Sequence, residues 1–209
     1  MGGLIEDPVL RQRLSFTRTT GDDGAEVLHV ETWVDPGGGV TPHIHPAMEE
    51  RFEVREGVCS FLSGKKWVNA GPGETVVVPP GTRHAYRNKS NGEVHMVCHA
   101  TPPSTLQEFL EDTVRLSRSG GLTASAVPKS PRALLEGIVM AHAYRDMVTL
   151  LFPPFPPPAI QRHILFVSFA LEVNQYDLFK PASYAECVPL FLCALAFHPK
   201  FSPALPKEY

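Results

Sequence analysis

Two short segments in the first half of the chain carry histidine and glutamate at fixed intervals. They constrain the fold more than any other feature. In the first segment His43 and His45 flank Ile44, and Glu50 follows five residues later. In the second segment His84 comes shortly after a Pro-Pro-Gly turn. Imidazole and carboxylate groups in this combination are typical ligands of transition metals. The sequence therefore predicts that four side chains from two separate segments meet at one cation.

The spacing within each segment indicates how the four side chains can meet. His43 and His45 are two residues apart on an extended segment, so their side chains leave the same face, and Ile44 points to the other. Glu50 follows a turn and begins the next predicted strand, while His84 opens a strand after its own turn. Two imidazoles whose Cα atoms lie roughly 6–7 Å apart can converge on one ion at about 2.1 Å.

Glu49 is the alternative carboxylate. It stands one residue before Glu50, and neighbouring residues of a strand face opposite sides of the sheet. We therefore expect Glu50 to be the ligand and Glu49 to be solvated or in an ion pair.

The two segments resemble the two metal-binding motifs of the cupin superfamily. The first motif requires Gly, five residues, His-x-His, three or four residues, Glu, six residues and Gly. It is matched by Gly37, His43, His45, Glu50 and Gly57. The second motif requires Gly, five residues, Pro-x-Gly, two residues, His, three residues and Asn. It is matched by Gly73, Pro79, Gly81, His84 and Asn88. The resemblance covers about residues 25 to 100, with the short gap between motifs that single-domain microbial members have.

The resemblance implies a mainly β fold, a cupin double-stranded β-helix or jelly-roll barrel, followed here by a C-terminal α-helical extension. It also implies one divalent transition-metal ion (Fe, Mn, Ni, Cu, Co or Zn) on His43, His45, Glu50 and His84. Three nitrogens and one oxygen argue against calcium or magnesium. Strand phase extends the predicted site to substrate-binding side chains, which are Phe52, Val54, Tyr86, Asn88 and His99. For His99 a plain surface or core position remains the more common alternative.

Strand signals fill the first half of the chain. Runs rich in valine, phenylalanine and threonine are separated by Gly, Asp, Asn and Pro turns, a pattern typical of an all-β sandwich or barrel. The predicted strands are 27–34, 52–54, 59–62, 75–78 and 94–99. We predict a cupin barrel over residues 1–103 and a helical extension over 104–209, which packs on the barrel or forms a dimer interface.

The helical extension has its own start and stop signals. Ser104 and Gln107 are spaced as a capping box, and Gly120-Gly121 ends that helix. A second helix is predicted from Ser130-Pro131 to about Leu151, with serine as the cap and proline first in the helix. Further helices are predicted near 158–176 and 182–197. A structural cover, a dimer brace and a lid over an apolar cavity all remain open as roles.

Composition excludes several classes of function. A net charge of −3 gives no basic surface for nucleic acid or anionic lipid. No apolar run has the length of a membrane span, and the N-terminus lacks a signal-peptide pattern. Four scattered cysteines indicate reduced thiols. We therefore expect a cytoplasmic protein. We also expect a homodimer whose binding partner is a small molecule.

The resemblance also guides the functional prediction. It implies a metal-dependent enzyme, and we favour dioxygenase-like oxidation of a small organic substrate chelated to the metal. Glu50 is then the catalytic residue, changing from ligand to general base. The alternatives are a non-redox isomerase, cyclase or decarboxylase, and a non-catalytic module that binds or senses a small molecule.

Overall fold

The computed structural model describes residues 3–21, 24–123 and 127–151. All of them belong to one compact unit, Met1–Pro158. These residues form eleven strands and two helices. The strands are β1 (Ile5–Asp7), β2 (Gln12–Thr20), β3 (Glu26–Val34), β4 (His43–Ile44), β5 (Glu49–Glu56), β6 (Cys59–Ser63), β7 (Lys66–Ala70), β8 (Thr75–Val78), β9 (His84–Arg87), β10 (Val94–Thr101) and β11 (Thr149–Leu150). The helices are α1 (Leu106–Arg118) and α2 (Pro131–Ala143).

The strands form two antiparallel sheets. One has six strands in the order β1-β2-β3-β10-β5-β8, and the other has five in the order β11-β4-β9-β6-β7. The apolar core lies on their inner faces, where Leu28, Val54, Phe61 and Met96 are almost completely buried. The predicted mainly β fold with helices after the strands is confirmed. All five strands named from the sequence are present.

Alternation along the strands determines which side chains face the interior. In β3 the residues Leu28, Val30, Thr32 and Val34 are buried, and the residues between them are partly exposed. β10 pairs with β3 in antiparallel register and shows the same alternation. Because successive side chains of a strand point to opposite faces, this phase decides which residues of β10 can reach the interior.

The two helices differ from their prediction in detail. α1 ends before Gly120, which has a φ of +74°, as the double glycine indicated. Its N-cap is Thr105, whose side chain makes no capping hydrogen bond, and Ser104 has a φ of +46°. The predicted capping box is therefore wrong, because Ser104 belongs to a turn before the cap. The cap of α2 agrees with the prediction, since the Ala133 amide donates to Ser130 Oγ at 3.1 Å.

α2 ends at Ala143, earlier than predicted, and the chain then turns. The amide of Met147 donates to the Tyr144 carbonyl at 2.9 Å, and Thr149–Leu150 forms β11 beside β4. A tertiary strand pairing thus replaces the last turns of the predicted helix. The two later predicted helices, 158–176 and 182–197, lie outside the described residues.

Both helices share the apolar core of the sheets. Leu106 and Val114 of α1, and Met140 and Ala141 of α2, belong to one buried cluster with the strand residues. The Tyr144 hydroxyl donates to Asp112 Oδ2 at 2.7 Å and links the two helical segments. The division at residue 103 stays a prediction. Neither of the described helices has the length and apolar composition needed to cross a membrane.

Candidate metal centre

Four elements bring the side chains of the two motifs together. His43 in β4 pairs directly with His84 in β9, and His45 follows two residues later. All three belong to the five-stranded sheet or its continuation, whereas Glu50 comes from β5 of the six-stranded sheet. One ligand atom from each of the four residues lies within 4.8 Å of the others. The four side chains named from the sequence therefore form one cluster between the sheets.

A close backbone approach positions β4 beside β9. Gly39 has a φ of +148°, and a Cβ added to it would lie 2.3 Å from the carbonyl oxygen of Tyr86. The next amide, of Val40, donates to that same carbonyl at 3.0 Å. Only glycine allows the two backbones to come this close, and that approach determines where His43 emerges.

Each of the three histidines uses Nδ1 to donate a hydrogen bond to a backbone carbonyl. The acceptors of His43, His45 and His84 are the carbonyl oxygens of Thr41, Met147 and Thr82, at 2.8, 2.9 and 2.9 Å. A carbonyl oxygen only accepts, so Nδ1 carries the hydrogen in each ring. In a neutral ring this leaves the Nε2 lone pair available to a metal, and the same hydrogen bonds fix the ring orientations.

Glu50 and His84 place two polar atoms face to face at the centre of the cluster. Glu50 Oε2 lies 2.7 Å from His84 Nε2, and both side chains are almost fully buried. Neither atom has a partner with hydrogen-bond geometry among the described residues. Each of the two atoms therefore depends on the other for its polar contact. A cation between them would satisfy both, so the residues present fit a metal ion.

The ionisation of the cluster also suits a cation. Burial, reinforced by His84 and His45, lowers the pKa of His43 to about 3, and burial lowers the pKa of His45. Burial alone would raise the pKa of Glu50, but the neighbouring histidines, His84 foremost, outweigh it and hold this pKa at about 2. Burial opposes but does not overcome the effect of Glu50 on His84, whose pKa is raised. Two neutral imidazoles and one carboxylate anion are thus in the protonation states that bind a metal ion.

The alternative carboxylate points away from the cluster. The Glu49 side chain is 45% exposed, compared with 7% for Glu50, and its Oε1 lies 3.7 Å from Arg51 Nη2. The expectation that these neighbouring glutamates face opposite sides of the sheet therefore agrees with the structure.

A cavity of about 130 Å³ opens from the cluster. His43, His45 and Glu50 form part of its wall, together with Phe52 and Tyr86. The Tyr86 hydroxyl is buried and donates to Gln12 Oε1 at 2.6 Å. Phe52 and Tyr86 thus lie where the sequence placed them, and their role in binding substrate stays a prediction.

Three other predicted substrate residues do not line the cavity. Val54 lies fully buried in the core. The Asn88 amide group donates to the Val34 and Gly92 carbonyls, and its oxygen accepts from the Ser90 amide, so its hydrogen bonds hold a turn. Neither residue lines the cavity, because sharing a strand face with a ligand does not bring a residue there, and a role for either in binding substrate stays a prediction.

His99 is the third of these residues, and its role in binding substrate also stays a prediction. It lies on the outer face of the six-stranded sheet, where its Nδ1 is 2.7 Å from Nδ1 of His29. The inner face of β10 at this level belongs instead to Cys98, which lines the cavity and whose Sγ lies 3.6 Å from Glu50 Oε1. Sequence reasoning missed Cys98, although the apolar alternation of Val94 and Met96 predicts an inward position for it.

Comparison with known proteins agrees with this geometry. The sequence profile of a family described as "Cupin domain" matches residues 19–100. Residues 19–100 are a cupin domain. The matched range holds all four clustered side chains, whereas α1, α2 and β11 lie beyond the cupin domain. A search of curated protein sequences gives no significant match.

Solved structures resemble the chain over about half its length. KdgF from Halomonas sp. has 18% identity and a TM-score of 0.41, over 49% of this chain and 94% of that one. A sugar phosphate isomerase of the cupin superfamily from Silicibacter pomeroyi has 19% identity and a TM-score of 0.39, over 44% and 59%. The polyketide cyclase RemF from Streptomyces resistomycificus has 23% identity and a TM-score of 0.38, over 44% and 66%. None of these likenesses bears on the activity of this chain.

Proposed function

We propose that the chain is a metal-dependent enzyme that holds one divalent transition-metal ion on His43, His45, Glu50 and His84. The observation that carries the proposal is the buried cluster itself. Glu50 Oε2 and His84 Nε2 face only each other there, at 2.7 Å, beside two imidazoles whose Nδ1 atoms are already bonded. A donor set of three nitrogens and one oxygen suits Fe, Mn, Ni, Cu, Co or Zn.

The reaction we favour is dioxygenase-like oxidation of a small organic molecule that chelates the ion. When bound, the ion would supply Lewis-acid or redox chemistry at positions the protein leaves open. Among the described residues, the cavity wall offers little for acid–base chemistry beyond the cluster itself. The titratable groups on its wall outside the cluster are Tyr86 and Cys98, and burial raises both pKa values well above their ordinary range. Neither is suited to exchanging protons near neutral pH.

Glu50 is the catalytic residue of this proposal. It lies at the cavity wall, so a bound substrate would contact it. Its pKa of about 2 makes it a weak base while the histidines surround it. To act as a general base, Glu50 must therefore first move away from His84. A carboxylate that changes from metal ligand to general base makes such a movement.

Two alternatives remain as outcomes of the test. A non-redox isomerase, cyclase or decarboxylase would use the same ion without oxygen. A non-catalytic binding or sensing module would hold a ligand without forming product. A cytoplasmic location and a homodimer also stay predictions. Sedimentation equilibrium would test the homodimer.

Elemental analysis of the purified full-length protein tests the metal first. We expect close to one first-row transition-metal ion per chain, lost on dialysis against EDTA and absent from His84→Ala. The matched control is His95→Ala, because His95 lies on the outer face and contacts Glu31. Wild-type protein that neither carries nor takes up such an ion would overturn the proposal.

Turnover then separates the reactions. With the reloaded protein and a substrate found by screening chelating small molecules, the oxidation we favour must stop when dioxygen is removed. Equal turnover with and without dioxygen would assign the non-redox alternative, and tight binding without product would assign the binding module.

A further inference from the structure

We propose that the ligand of the metal centre has one head group that chelates the ion through oxygen, attached to a compact, uncharged hydrocarbon group. We further propose that α1 and α2 select this hydrocarbon group. This inference rests on the proposed metal function and names the substrate class for that site. The evidence is the distribution of polar groups along the cavity, the origin of its far wall and its volume.

The cavity has one polar end. Glu50, His43 and His45 lie at that end, and among the described residues no lysine, arginine or aspartate lines the cavity. A second charged group on the ligand would therefore be buried without a partner. The cost of such burial is large, because isolated charges are strongly destabilised away from water.

Two of the hydroxyl groups on the wall already donate hydrogen bonds within the protein. The Tyr86 hydroxyl donates to Gln12 Oε1 at 2.6 Å. The Thr113 hydroxyl donates to the Phe109 carbonyl at 2.8 Å. Such internal hydrogen bonds leave little for a ligand rich in hydroxyl groups, such as a sugar, whose buried hydroxyls would go unpaired.

The far wall comes from the helices beyond the cupin domain. Phe109, Leu110 and Leu116 of α1 are only half buried, although they pack against the core. Met140 of α2 completes this wall. Partly exposed apolar side chains facing a cavity gain contact area when an apolar group fills it. The helices therefore provide the surface that distinguishes one hydrocarbon body from another.

The volume limits the size of that body. A cavity of about 130 Å³ is close to the engineered 150 Å³ cavity that binds benzene. One six-membered ring, or a branched chain of similar bulk, fits this space. Larger fused rings exceed this volume and would extend out of its open side.

Matched hydroxamic acids test the inference on the full-length protein loaded with Co(II). Acetohydroxamic and benzohydroxamic acid have the same chelating head, and 4-carboxybenzohydroxamic acid adds a charge to the ring. Isothermal titration calorimetry should show benzohydroxamic acid binding at least about tenfold more tightly than acetohydroxamic acid, from the apolar area buried. The carboxylated ring should lose that advantage.

Substitutions in α1 assign the selectivity to the helix. Leu110→Trp fills the cavity. It should reduce the ratio of the affinities for benzohydroxamic and acetohydroxamic acid to about onefold, while acetohydroxamic acid still binds. Leu4→Trp, at a site that is 57% exposed and outside the cavity, is the matched control and should keep the preference. Leu110→Ala enlarges the cavity and should gain affinity for 2-naphthohydroxamic acid, so the inference stays testable if the tryptophan variant does not fold.

The outcomes separate the two proposals. Retained Co(II) with equal affinity for the acetyl and benzoyl compounds, or an unchanged preference in both Leu110 variants, would overturn the substrate class alone. Failure to retain Co(II), with no binding of any hydroxamic acid, would instead overturn the proposed metal function on which it rests.

Discussion

Two adjacent glutamates in β5 have opposite environments. Glu50 is enclosed by His84 and His45, whereas Glu49 lies on the outer face near Arg51. The alternation of a strand is enough to cause this difference, because a shift of one residue moves a side chain to the other face of the sheet. The two positions therefore form a natural pair for testing the donor set.

Glu50→Gln should weaken binding of a divalent transition metal by at least about 100-fold, because it removes the only anion in the cluster and leaves an amide as a poor ligand. Equilibrium dialysis with Co(II) measures the change. Glu49→Gln loses the same charge from the same strand and should bind Co(II) as the wild type does. Equal losses in the two variants would show that net charge, and not ligation, controls binding.

A substitution of Asn88 distinguishes a structural role from the substrate-binding role that the sequence predicts. Asn88→Ala removes the two hydrogen bonds that the Asn88 amide group donates to the Val34 and Gly92 carbonyls, and should lower the free energy of unfolding by about 2–3 kcal/mol. Urea unfolding measures this change. The exposed Asn91→Ala should alter stability by less than about 0.5 kcal/mol. Affinity for benzohydroxamic acid should not change in folded Asn88→Ala; a selective loss of that affinity would restore the substrate role.

The four clustered side chains were predictable at the residue scale because the necessary information is local. His43 and His45 share a face by spacing, and each motif determines its own turns. His99 lies outside because the apolar residues of β10, and not its histidines, determine which face of the strand points inwards. These apolar residues are Val94 and Met96, and they place Cys98 inside and His99 outside.

At the element scale, long-range contacts overrule local signals. The serine–glutamine spacing before α1 indicates a capping box, yet Thr105 takes the cap position. The segment after α2 has helical apolar spacing but pairs with β4. His45 accordingly donates to the carbonyl of Met147, 102 residues further along the chain. No local pattern encodes such a partner, so this support for a metal ligand could not be predicted.

The approach of β4 to β9 should tolerate no side chain at Gly39. Gly39→Ala introduces a Cβ that meets the Tyr86 carbonyl and should lower the free energy of unfolding by about 3 kcal/mol or more. Gly64→Ala is the control, because Gly64 also has a positive φ, +62°, but has open space around it. It should cost only about 1–2 kcal/mol, the cost of the left-handed conformation alone. Chemical denaturation compares the two, and equal costs would argue against a steric origin.

At the scale of the whole molecule, the helices and the barrel form one described unit. The sequence indicated a change from strands to helices near residue 103, and the elements change there. It could not show that Leu106 and Met140 enter the same core as the strands, or that the helices close the cavity. Such packing depends on surfaces that are far apart in sequence.

A metal bound only by the folded protein should stabilise it. At free Co(II) 100 times its dissociation constant, the free energy of unfolding should rise by about 2.7 kcal/mol. Thermal unfolding with and without EDTA measures the shift, and His84→Ala should show none. An equal shift in His84→Ala would mean that the ion binds elsewhere on the chain.

The donors of the metal cluster are divided between the sheets, with the histidines on one side and Glu50 on the other. Neither sheet alone presents the complete set. If the proposed ion binds, assembly of the barrel would therefore precede its capture, because a newly synthesised chain has no formed site. The choice of ion would then be made by the folded protein from whatever its surroundings offer.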